Sequence, residues 1–168
     1  MPLLKTGFVS FSKKLYLQSF AFNSDFMGKV KNILDAKGYA IYSVDPSMMV
    51  LTAIQLMCEK NIGGLLITEQ DELVGIFTER DYARKLILKG KSSKDTPIGD
   101  LMTKKPFTVS TESSIEDCMQ LMVDKHIRHL PVVDDGKLMG MISIGDVVKN
   151  IIEEQKNIIE HLENYIAM

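Results

Sequence analysis

The feature that most constrains this chain is that it says the same thing twice. Residues 44–84 slide onto residues 109–149 without a gap. Val44 falls on Val109, Gln55-Leu56-Met57 on Gln120-Leu121-Met122, Lys60 on Lys125, Ile62 on Ile127 and Leu65 on Leu130. Leu73 falls on Leu138, Gly75 on Gly140 and Asp81 on Asp146. About a quarter of the positions are identical, and most others exchange one apolar residue for another. Upstream the match resumes after a three-residue insertion in the first copy, which lays VKNIL (30–34) over IGDLM (98–102). A unit this short cannot bury a sheet face alone, but two copies can bury theirs against each other. A pseudo-twofold pair forming one globule is expected.

Within a copy the hydrophobic pattern predicts β-α-β-β-α, so the chain is expected to be α/β (α+β). Asp45-Pro46 has the form of a helix start, with the aspartate as N-cap and proline in the first turn. Val50, Ala53, Ile54 and Met57 follow at helical spacing. GGLLIT and VGIFT are short apolar strands around the polar turn EQDE, and RDYARKLILKG is a second helix closed by Gly90. In the second copy Ser110 takes the N-cap position, and Ile115, Met119 and Met122 supply the apolar face. Strand HLPVV, turn DDGK, strand MGMIS and a helix from Asp146 follow, and AIYSV and FTV are the lead-in strands. The expected divisions are a leader or flexible arm (1–24), a first repeat (25–90), a linker (91–97), a second repeat (98–150) and a C-terminal amphipathic helix (151–168). In that helix Val148, Ile152, Gln155, Ile159, Leu162 and Ile166 alternate four and three apart. Such a seam either folds back on its own domain or pairs with a second subunit.

Composition narrows the functional classes. The 168 residues carry 20 Lys and Arg against 22 Asp and Glu, a net charge of −2. That balance argues against a nucleic-acid binder, and no apolar run is long enough for a membrane span. Cys58 and Cys118 lie in apolar-periodic stretches without a C-x-x-C, which points to two small core residues in a reducing compartment, the cytoplasm or, in a eukaryote, the mitochondrial matrix. Residues 1–24 hold Lys5, Lys13 and Lys14 but no acid and no arginine, a poor match to a transit peptide and a better one to a docking arm. The three histidines, His126, His129 and His161, have no metal-ligand company, and there is no P-loop or nucleophile elbow. A non-enzymatic role is expected, with no required cofactor.

The repeated motif carries the remaining chemistry. GIFTERD (75–81) and GMISIGD (140–146) share a glycine, two apolar residues, a hydroxyl residue, two spacers and an aspartate. Thr78-x-x-Asp81 and Ser143-x-x-Asp146 match a capping box, which needs no ligand. The same groups suit a nucleotide: a hydroxyl at a helix N-terminus suits phosphate, and a carboxylate can accept from both hydroxyls of a ribose.

With IRHLPVVDDGKLMG (127–140), the gapless repeat and its two motifs resemble paired CBS domains, the module named after cystathionine β-synthase, over roughly residues 28–150. The tail ending HLENYIAM resembles that of small stand-alone CBS-pair proteins of bacteria and mitochondria. The resemblance implies regulatory binding of AMP, ADP, ATP, NAD(H) or S-adenosylmethionine in the cleft between the repeats. It implies that Thr78 and Ser143 contact phosphate and that Asp81 and Asp146 hold ribose hydroxyls. Adenine is then expected near Tyr42, Ile62, Gly63, Gly64, Thr108, Ile127 and Pro131. Arg80, Arg84, Lys85, Arg128 and His129 are candidate phosphate partners. The first copy has Gly63-Gly64 where the second has Arg128-His129, so one good site and one weaker or empty site are expected. The resemblance also implies a homodimer acting on an unidentified partner protein, the alternative being an interaction protein without functional ligand binding.

Overall fold

The computed structural model describes residues 28–166, so the expected leader lies outside the described residues. The elements in chain order are α1 (Val30–Lys37), β1 (Ser43–Val44), α2 (Val50–Lys60), β2 (Gly64–Glu69) and β3 (Glu72–Thr78). A helical segment, α3, follows as an α-turn (Glu79–Asp81), a π-turn (Tyr82–Leu86) and a 3-10 turn (Ile87–Lys89). After a 3-10 turn (Ile98–Asp100) come β4 (Thr103–Lys104), α4 (Ile115–Asp124), β5 (His129–Asp134), β6 (Lys137–Ser143) and α5 (Ile144–Ile166).

Both copies fold alike. β2 and β3 are an antiparallel hairpin, as are β5 and β6. Their turns place Gln70 and Asp71, or Asp135 and Gly136, at positive φ, the backbone that a two-residue hairpin loop requires. The lead-in strands are shorter than expected: β1 runs parallel to β2 for two residues, and its counterpart is one parallel bridge between Val109 and Val132.

The helices α2 and α4 begin later than Asp45-Pro46 and Ser110 suggest. The Asp45 carboxylate is consumed locally, accepting from the Ser47 amide at 2.8 Å and the Ser47 hydroxyl at 2.6 Å, which folds 45–47 into a turn. The Ser110 amide likewise donates to Ser113 Oγ at 3.0 Å. The N-cap of α4 is Ser114, whose hydroxyl accepts from the Asp117 amide. α3 ends as expected, with Gly90 at φ 63°.

Two cores form, and neither follows chain order. Val44, Val50, Ala53, Met57, Leu65, Ile67, Phe77 and Leu86 cluster with Ile98 and Leu101. Ile115, Cys118, Met122, Leu130, Val132, Ile142 and Val147 cluster with Val30, Ile33 and Leu34. The lead-in segment ahead of each copy's first strand (30–37 in the first, 98–104 in the second) therefore packs against the core of the other copy. This exchange explains the motif glycines. A Cβ at Gly75 would stand 2.5 Å from Met102 Sδ and 3.1 Å from the Thr103 carbonyl oxygen. A Cβ at Gly140 would stand 3.1 Å from Leu34 Cδ2. Each glycine is the place where the other copy's lead-in crosses the strand.

Cys118 is buried, with its thiol pushed up to about 11 chiefly by desolvation, but Cys58 is exposed and is not a core residue. α5 turns Val147 and Ile151 onto the second core and leaves its seam in solvent, with Ile152 at 47%, Ile159 at 55% and Leu162 at 56% exposure.

Candidate functional site

Both repeated motifs close into capping boxes at the start of a helix. The Thr78 amide and hydroxyl donate to Asp81 Oδ2 at 3.0 and 2.7 Å, and the Asp81 amide returns a bond to Thr78 Oγ1 at 3.4 Å. The Ser143 amide and hydroxyl donate to Asp146 Oδ2 at 2.7 and 2.9 Å, and the Asp146 amide donates to Ser143 Oγ at 3.2 Å. Each aspartate also meets a lysine at 2.7 Å, Lys85 for Asp81 and Lys37 for Asp146.

The lysines tie each motif to the exchanged lead-in. Lys85 also donates to the Leu101 carbonyl at 2.9 Å and contacts Thr103 Oγ1 at 3.1 Å, and the Thr103 hydroxyl reaches Asp81 Oδ1 at 3.3 Å. Lys37, from the end of α1, also donates to the Met141 carbonyl at 3.0 Å. Burial raises the Asp146 carboxyl, but hydrogen bonds from Lys37 and Ser143 outweigh it, so its pKa lies below the ordinary aspartate value.

A cavity of about 460 Å³ opens on the first motif. Thr78, Glu79, Arg80 and Asp81 form one side. Ile127, Arg128 and His129 come from the second copy, and the run Thr103 to Phe107 closes the rest, with Gly63 and Ile76 between. The volume and mixed lining suit a small-molecule site. Phe107 is held from outside by the Lys125 ammonium, 5.3 Å from its ring centre. Arg80 spans the copies by donating to the His126 carbonyl.

Gly63 and Gly64 lie against the His129 ring, at distances where an added Cβ would make ordinary van der Waals contact. Cβ atoms there would come within 3.4 and 3.6 Å of its ring. Burial holds His129 below its usual pKa; Asp146 and Glu79 pull it up, while Lys37 and Arg128 push it down.

Of the expected site residues, the cavity gathers Gly63, Thr78, Arg80, Asp81, Ile127, Arg128 and His129. Ser143 and Asp146 are outside its lining, beside α1. Gly64 and Pro131 are buried strand residues, and Ile62 packs on the first core. Tyr42, Thr108 and Arg84 are exposed and do not line the cavity. Lys85 serves Asp81 from outside the lining. Sequence reasoning missed Ile76, Glu79 and the run from Thr103 to Phe107. The available signal was the lysine pair before Pro106, directly ahead of a lead-in strand.

The comparisons with known proteins agree with this architecture. Residues 32–88 and 98–153 match the CBS domain. The chain belongs to the CBS-domain family. It is 45% identical over 122 residues to the mitochondrial CBS domain-containing protein CBSX3 of Arabidopsis thaliana, covering 70% of this chain and 59% of that protein. A solved structure of a putative signal-transduction protein with CBS domains from Burkholderia ambifaria MC40-6 is 48% identical, with a TM-score of 0.73 over 76% of this chain and 96% of that one. The structure of CBSX2 in complex with AMP is 28% identical, with a TM-score of 0.62 over 75% of this chain and 97% of that one. No helix among the described residues is long and apolar enough to cross a membrane.

Proposed function

We propose that the cavity beside Thr78 and Asp81 binds an adenosine-containing ligand, and that binding changes how the chain engages another protein. The observation that carries this reading is the placement of a 460 Å³ cavity on the first motif and against the second copy. Its walls divide by chemistry. Ile76, Pro106, Phe107 and Ile127 offer apolar faces for a purine. Asp81 offers carboxylate oxygens for ribose hydroxyls, which replace the Thr78 and Thr103 hydroxyls now bound there. Arg80 and Arg128 stand ready for phosphate. The AMP complex of CBSX2 supports the same ligand class. The module acts as a regulator of an unidentified protein rather than as an enzyme, because a ligand held between two copies acts by favouring one arrangement of them.

A thermal-shift panel of AMP, ADP, ATP, NAD⁺, NADH and S-adenosylmethionine tests this. A ligand at 100 times its Kd adds about 2.7 kcal/mol, a shift of several degrees that Asp81→Asn removes. No shift with any of the six ends the reading.

A second reading, an assembly protein whose site is idle, is favoured by the exposed seam of α5. Both readings include a homodimer in which Ile152, Ile159 and Leu162 meet a second copy. Sedimentation showing a monomer at micromolar concentration removes that part.

A further inference from the structure

The cavity has more positive charge than one phosphate can use. Arg80, Lys104, Lys105 and Arg128 all line it. Ion pairs form elsewhere, at Lys29, Lys37, Lys60, Lys85 and Lys149, yet none of these four cations meets a carboxylate among the described residues. The acids in the lining are Glu79 and Asp81, and Asp81 is already neutralised by Lys85. The wall therefore keeps a surplus of three positive charges once Lys85 is counted. A phosphate monoester carries about −1.5 to −2 at neutral pH. It leaves part of that surplus unmatched, whereas a second phosphate takes it up.

The position of the lysine pair adds to the count. Lys104 is fixed by β4, where it pairs with Gly75 of β3. Lys105 follows at φ 50°, left-handed and directly before Pro106. A residue preceding proline is pushed toward extended backbone, and left-handed backbone is uncommon outside glycine. Such conformations persist where the surroundings over-determine them, and they cluster at ligand clamps. The four cations also enter from three separate segments, α3, the end of β4 and the approach to β5, so they are spread along the cavity rather than focused on one point.

We infer that the ligand of this cavity is an adenosine bearing at least two phosphate groups, with Lys104 and Lys105 holding the phosphates beyond the first. The inference rests on the adenosine reading above and narrows it. It turns away S-adenosylmethionine, whose sulfonium would face a positive wall.

The test is calorimetric titration of the full chain with AMP, ADP, ATP and inorganic pyrophosphate, for the wild type and for Lys104→Ala/Lys105→Ala. Both positions are exposed, so the double variant is expected to fold, which circular dichroism checks. The expected result is ADP and ATP binding at least about tenfold more tightly than AMP, since opposite charge in a partly enclosed cleft is weakly screened. In the double variant that advantage falls to within about twofold, with AMP losing much less affinity than ADP and ATP. AMP binding as tightly as ADP, or losing as much affinity in the variant, overturns the inference and leaves the adenosine reading standing. Pyrophosphate binding that depends on the lysines, with ADP no better than pyrophosphate, overturns the adenosine reading and keeps the polyphosphate site. Binding of none of the four overturns both.

Discussion

The two copies of the motif have the same covalent pattern and the same capping box, yet they present different chemistry. Around Thr78 and Asp81 the structure is open, with a cavity, four cations and apolar walls. Around Ser143 and Asp146 the lysine comes from the other copy instead: the end of α1 places Lys37 on the carboxylate, and the same ammonium donates to the Met141 carbonyl. The difference comes from outside the motif. The first motif faces the second lead-in, which ends in the non-helical run from Thr103 to Phe107. The second faces the first lead-in, which is helical through Lys37. A repeated motif therefore fixes a scaffold twice, while the segment packed against it decides which groups surround that scaffold.

The exchange of lead-ins gives the strongest way to break this comparison. Leu34 is fully buried in the second core although it belongs to the first copy, and Ile98, of the second copy, is fully buried in the first. Leu34→Ala and Ile98→Ala are each expected to cost about 2–5 kcal/mol in chemical denaturation. If the copies were independent, each truncation would unfold only its own half, and two transitions would separate. A single transition for both variants is expected, because each core contains part of the other copy.

The motif glycines give the next effect in size. Gly75→Ala drives a Cβ to 2.5 Å from Met102 Sδ and 3.1 Å from a backbone carbonyl, so about 1–3 kcal/mol is expected. Gly140→Ala meets only the tip of Leu34 at 3.1 Å, which can turn aside, and should cost less than the Gly75 change. Equal losses measured by denaturation would mean that the lead-ins press on both strands alike.

How much of this was legible follows from range. Local signals were readable: the hairpins, the Gly90 stop, the capping boxes and the family itself are written within a few residues of one another. The exchanged packing was not, because VKNIL and IGDLM have the same apolar pattern and nothing in either says which core receives it. The true helix starts were hidden by Asp45 and Ser110, which are good N-caps by type but spend their hydrogen bonds on the turn before the helix. The site was half readable. The residues inside the motifs and Arg128-His129 stood out, while Lys104 and Lys105 became site residues only through β4, a two-residue pairing with β3.

A smaller comparison concerns one aligned pair in the helices. Leu51 of α2 corresponds to Glu116 of α4, and both carboxylate oxygens of Glu116 are buried without a partner among the described residues. Burial raises its pKa, with nearby Asp117 and Glu154 adding to it. Its folded pKa lies above the unfolded value, so its contribution is present below the usual glutamate range and is lost as pH rises. Glu116→Leu, which restores the first copy's residue, is expected to raise stability at neutral pH by about 1 kcal/mol. Denaturation at pH 7 showing a loss instead would mean that the carboxylate has a partner.

The smallest effect, and the one that separates the two motifs by charge alone, is the acid limb of stability. Asp146 has its pKa lowered and His129 has its pKa lowered, so the unfolded chain binds more protons than the folded one at both positions. For a lowered group, stability is present above the unfolded pKa and is lost as pH falls through the folded one. His129 therefore begins to erode stability below about pH 6.5, and Asp146 adds its loss below about pH 4. His129→Asn should flatten the first decline and leave the second. Lys37→Met should weaken the second, because the hydrogen bond from its ammonium is what most lowers the Asp146 carboxyl. Denaturation curves taken between these limits read both slopes. A first decline that persists in His129→Asn would place the titrating group elsewhere, and the second copy would then lose its claim to a half-buried neutral histidine facing the cavity.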